Sequence, residues 1–64
     1  MRWTDTEQIA AALADRHPDT SPHTVEPTEI RDLAARLSGF SDDSTRCNRR
    51  ILESIQLAWI DRAG

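Results

Sequence analysis

The chain has 64 residues and a net charge of −3, and all eight of its cations are arginines. That length suits one domain with one small core and leaves little room for a buried active site. One cysteine, Cys47, and no long apolar run exclude an internal disulfide, a Cys-based zinc site within the chain and a membrane span, while the acidic balance repels nucleic acid at long range.

Thr4 and Glu7 have capping-box spacing ahead of Ile9, Ala10, Ala12 and Leu13, which predicts a first helix over about 5–16, stopped by Pro18. Trp3 stands just outside that cap, near enough to fold back on the first turn. Residues 17–28 hold Pro18, Pro22 and Pro27 with turn-forming Asp19, Thr20 and Ser21, so an irregular connection is expected, with one or two β bridges at most and Val25 plugging the core. Thr28 reads as the N-cap of a second helix over about 29–38, with Glu29 in its first turn and Gly39 just past its end. After a polar loop anchored by Phe40, a third helix is expected to start near 44–47 and run to about 62. Its apolar positions spread over most of the circumference, which leaves only the edge of Glu53, Gln56 and Asp61 polar and makes the helix central. Trp3 and Trp59 are expected in the core, with partners for their indole N–H groups.

The residues offer little catalytic chemistry. His17 and His23 sit in the Pro-rich connection, where solvent-exposed loop histidines are commoner than ligands. Cys47 lies near Arg46, Arg49 and a helix start, which favours a lowered thiol pKa, whereas a partly buried structural cysteine is the commoner outcome. No Gly-rich phosphate loop is possible with only Gly39 and Gly64. Arg46, Arg49 and Arg50 at the start of the third helix raise a helix-turn-helix reading, against which stand the negative charge and Glu53, one turn on and able to pair with either Arg49 or Arg50. The carboxylates Asp5, Asp15, Asp19, Asp42 and Asp43 are of the type that binds hard or borderline cations, but their spacing alone is that of caps and solvated charges.

Taken together, Trp3-Thr4-Asp5, Ile9 with Ala12-Leu13 and Asp15, Pro18-Asp19, Pro22-x-Thr24-Val25, Thr28, Leu37 with Phe40, Asp42-Asp43, Asn48, Ile51-Leu52-Glu53 with Ile55, and Trp59 with Asp61 and Ala63 resemble the IscX family of bacterial iron–sulfur cluster assembly. The match covers almost the whole chain in order. The resemblance implies a mainly α, three-helix, modified winged-helix-like single domain with minimal β structure. It implies a cytoplasmic, monomeric accessory protein, not an enzyme, that docks on an IscS-type cysteine desulfurase through an acidic surface and modulates its activity. Ferredoxin is a further partner it suggests, as is competition with a frataxin homologue; nucleic acid and membrane are not. No cofactor is required, and iron(II) would be bound weakly, by Asp5, Asp15, Asp19, Asp42 and Asp43. Asp5, Asp15, Asp19 and Asp61 are the acids expected to contact the desulfurase.

The chain departs from the family pattern in being less acidic. Arg16, Arg49, Arg50 and Arg62 interleave the acids, and Gln8, Ala11, Ser21, Ser38, Gly39 and Ser41 stand where further acids are common. A cation needs several oxygens at about 2.0–2.6 Å, whereas a docking face needs only net complementarity, so iron binding should suffer more than partner binding. Two other readings stay open: an iron(II) carrier built on carboxylates, and a small winged-helix DNA binder.

Overall fold

A computed structural model of the chain describes residues 1–43 and 46–63. Three helices follow one another: α1 (Thr6–Arg16), α2 (Pro27–Ala35) and α3 (Arg49–Ala63). Among the described residues there is no strand, so the connection over 17–28 forms turns rather than β bridges. Among the described residues no helix is long and apolar enough to cross a membrane.

Each helix begins where a local hydrogen bond or a proline fixes it. The capping box expected at Thr4 is not formed. Asp5 is the N-cap of α1 and makes no side-chain cap bond. Its Oδ2 instead accepts the Arg2 backbone N–H at 2.9 Å, and its own N–H donates to the Arg2 carbonyl at 2.9 Å, closing a tight turn over 2–5. α2 starts two residues earlier than the Thr28 cap implies, because Pro27 occupies the first helical position, where a fixed φ and a missing N–H cost nothing. It also ends earlier, at Ala35. Leu37 N–H donates to Ala34 and Phe40 N–H to Leu37, tightening the exit into i→i+3 turns that bring Leu37 into the core. Gly39, at φ +84°, then reverses the chain in a region that L side chains rarely adopt. α3 starts later than expected. Asn48 caps it, its Oδ1 accepting the Ile51 N–H at 2.8 Å; Ser44 and Thr45, the earliest expected start, lie outside the described residues.

α3 packs against both α1 and α2, most extensively against α1, so its central place follows the sequence expectation. Its surface does not. It buries the single stripe Leu52, Ile55 and Trp59, with Ile51, Ala58 and Ile60 partly covered, and leaves Leu57 67% exposed. Gln56, expected on the polar edge, is partly buried instead; its Nε2 donates to the Pro22 carbonyl at 2.8 Å and the Val25 carbonyl at 3.1 Å. The core joins this stripe to Trp3, Ile9, Leu13, Val25, Ile30 and Leu37, and no buried side-chain polar atom among the described residues lacks a partner. Trp3 and Trp59 are both 1% exposed.

Candidate functional site

Trp3 organises one end of the molecule. Its ring meets Phe40 edge-on, with centroids 4.6 Å apart and planes at 70°, and its indole N–H donates to the Asp43 carbonyl at 2.8 Å. Met1 is tied to the same loop: its amino group donates to the Gly39 carbonyl at 2.6 Å, and its carbonyl accepts the Ser41 N–H at 3.0 Å. The N-terminal segment is therefore laced to residues 39–43.

Asp42 sits inside this lacing. Its Oδ1 accepts the Asp43 N–H at 2.8 Å and its Oδ2 the Trp3 N–H at 3.2 Å. The Asp43 bond, then the Trp3 bond, hold its carboxyl below the ordinary aspartate value, with Arg46 and Arg2 adding to the effect against an opposing contribution from burial. A depressed folded-state pKa means that this stabilisation is complete above the unfolded value of about 3.9 and is lost as pH falls through the lower folded value. Urea midpoints measured from about pH 5 down to 2 should therefore show wild type converging on Asp42→Asn as pH falls; parallel curves would mean that Asp42 does not couple to folding.

The five carboxylates offered for iron divide between the two ends of α1. Asp5 and Asp42 flank the N-terminal segment, each with oxygen accepting backbone N–H groups, and Asp43 adjoins them. Asp15 and Asp19 lie at the far end of an 11-residue helix, about 16 Å long at 1.5 Å per residue. Among the described residues no group of three or more His, Cys, Asp and Glu side chains is placed to hold a metal ion.

The acids expected at the docking face are placed differently. Asp15, Asp19 and Asp61 are exposed and enter no ion pair among the described residues, while Asp5 is half-buried. Asp19 lines a shallow groove with Pro18, Pro22, His23 and Ala63, which sets the end of α3, two residues beyond Asp61, beside the connection that follows α1. Other acids are matched by arginine: Arg62 lies 4.0 Å from Glu7, joining α3 to α1, and Arg49 lies 3.3 Å from Glu53 one turn along α3. Exposed pairs of this kind contribute little.

His17 caps α1, its backbone N–H donating to the Leu13 carbonyl, and His23 is exposed. Cys47 is partly buried beside the N-terminal end of α3. Burial pushes its thiol pKa up, and the nearby Arg31 only partly offsets this. The lowered-pKa reading of Cys47 is thus reversed, because desolvation disfavours the thiolate more than Arg31 favours it. Sequence reasoning missed two contributors. Arg31 shares a groove with Cys47 although sixteen positions separate them, and Gln56 ties α3 to the proline-rich connection. Neither has a local sequence signal, since both act across the fold.

The sequence pattern of a family described as iron-sulphur cluster assembly matches residues 1–64. A curated relative, the uncharacterized protein PA3808 of Pseudomonas aeruginosa, is 38% identical over 61 residues, covering 95% of this chain and 92% of its own. The two tryptophans, the laced 39–43 loop and the exposed acids thus sit in a chain whose full length carries one recognisable pattern, and it belongs to the iron–sulphur cluster assembly family.

Proposed function

We propose that this protein is an IscX-like adaptor of iron–sulfur cluster assembly, a winged-helix-like helical monomer of the cytoplasm without enzymatic activity of its own. It docks on a cysteine desulfurase through an acidic surface and modulates that enzyme. The observation that carries the reading is the full-length family match joined to the exposed Asp15, Asp19 and Asp61, none of which is neutralised by an arginine among the described residues. Uncompensated surface acids on a chain of charge −3 steer it toward a basic protein surface and give an association rate that falls with salt. Asp5 belongs to the same contact set at the opposite end of α1, and its carboxylate also closes the turn over 2–5.

Iron(II), as cargo rather than resident cofactor, is the second reading. The free Asp15 and Asp19 favour it, whereas the backbone hydrogen bonds made by Asp5 and Asp42 weigh against a five-carboxylate site. The adaptor reading makes ferredoxin a further partner and a frataxin homologue a competitor for the desulfurase surface.

Anaerobic calorimetry with the host's cysteine desulfurase, without metal and at low and physiological salt, tests the proposal. Micromolar binding that weakens with salt is expected. Asp15→Asn with Asp19→Asn should lower affinity several-fold, mainly through the association rate, because exposed charges steer more than they hold. Unchanged affinity would remove both acids from the contact, and no binding at either salt would discard the adaptor. Line broadening near Asp15 and Asp19 with iron(II) but not magnesium would then favour the carrier.

A further inference from the structure

We propose that the groove between the N-terminal ends of α2 and α3 is a second docking surface, opposite in charge to the acidic one, which takes an acidic segment of a protein partner. Pro27, Cys47 and Leu52 give the groove apolar walls, and Arg31 and Arg49 line it. Arg31 is exposed and enters no ion pair among the described residues; Arg49 has only its exposed contact with Glu53, which an incoming carboxylate can replace. Among the residues that line the groove, two cations, Arg31 and Arg49, face one carboxylate, Glu26.

The backbone has the same polarity. Glu26, at the N-cap of α2, makes no side-chain cap bond, and with Pro27 lacking an N–H the groove lies beside a helix start whose Thr28 and Glu29 N–H groups have no side-chain cap. The positive end of the α3 dipole lies across from it at Asn48 and Arg49. Guanidinium groups pair with carboxylates through two parallel N–H···O bonds. The apolar walls select among anions. They suit an aliphatic side chain between the acids, which inorganic phosphate and a nucleic-acid backbone lack. An acidic peptide segment carrying a leucine-like residue satisfies both. This surface uses other residues than the desulfurase contact, so either can fail alone.

The test is titration of the nitrogen-15-labelled full chain with an acetylated peptide of glutamates interrupted by two leucines, alongside its glutamine counterpart. Saturable amide shifts are expected around Thr28, Arg31, Cys47 and Arg49 with the glutamate peptide alone, weakening as salt is raised. Arg31→Glu should lower the affinity at least about tenfold, the loss of one charge-assisted pair, with Arg31→Gln intermediate. Arg31 is exposed and outside the core, so both variants keep the fold, which the unshifted spectrum of the remaining amides checks. Bound peptide should also slow the reaction of Cys47 with Ellman's reagent. Absence of saturable shifts at the groove, equal shifts with the glutamine peptide, unchanged affinity in Arg31→Glu, or stronger binding of a single-stranded oligonucleotide at the same amides would each overturn the proposal.

Discussion

Trp3→Ala is expected to remove about 3–5 kcal/mol of this protein's stability, a third or more of the total. Trp3 is 1% exposed, stacks edge-on against Phe40 and donates its indole N–H to Asp43. Removing a buried tryptophan side chain costs about 3–5 kcal/mol, because the transfer free energy is lost and a cavity remains. A domain of this size has only about 3–10 kcal/mol of stability in total, at 0.05–0.15 kcal/mol per residue. The loss is also not confined to one contact. With the ring gone, Phe40 has no face to pack on, and the lacing of 1–3 to 39–43 loses its anchor. Trp3→Phe separates the two contributions: it keeps most of the apolar area and loses only the bond to Asp43, about 1 kcal/mol. Urea unfolding followed by circular dichroism and by Trp59 fluorescence reads both variants. A Trp3→Ala midpoint close to that of wild type would mean that the N-terminal segment is an appendage rather than part of the core.

Gln56→Leu is expected to lower stability by about 1–3 kcal/mol although it replaces a polar side chain with an apolar one of similar size. The Gln56 amide donates to two carbonyls, Pro22 and Val25, which lie in the connection between α1 and α2. Leucine cannot donate, so two partly buried acceptors lose their partner and keep their desolvation cost. The effect should be local before it is global. Amide exchange in residues 20–26 should rise ahead of exchange in α3, because that connection has only Pro22 and Val25 buried to hold it to the core. Equal stability with unchanged exchange would show that the buried Pro22 and Val25 seat the connection without the Gln56 bonds.

Gln56 also shows where a linear reading stops. Its position on the α3 wheel predicts the solvent edge, and a glutamine there has no local reason to be elsewhere. Only the arrival of the Pro22 and Val25 carbonyls, more than thirty residues away, gives it partners inside, while Leu57, opposite the buried Leu52, Ile55 and Trp59 stripe, faces water. The capping box failed for a similar reason. Thr4 and Glu7 have the required spacing, but the turn over 2–5 that places Trp3 in the core moves the cap to Asp5 and draws its carboxylate toward Arg2. Pro27 reads in the sequence as a breaker in the connection, yet at the first position of a helix a proline is favourable.

The candidate sites divide in the same way. That acids are exposed at Asp15, Asp19 and Asp61 follows from residue type. That Asp42 is a backbone ligand, and that the five carboxylates fall into two groups, depends on where α1 sits between the N-terminal lacing and the proline-rich connection. Arg31 and Cys47 meet only because the N-terminal ends of α2 and α3 converge.

The sequence by itself determined the number of helices, the burial of Trp3, Val25 and Trp59, and the family pattern along the whole chain, because helical periodicity and residue hydrophobicity act locally and survive any packing. Tertiary structure alone decided which polar groups are spent on the fold and which remain for a partner, because a hydrogen bond between residues thirty or forty positions apart has no signature in the sequence near either end.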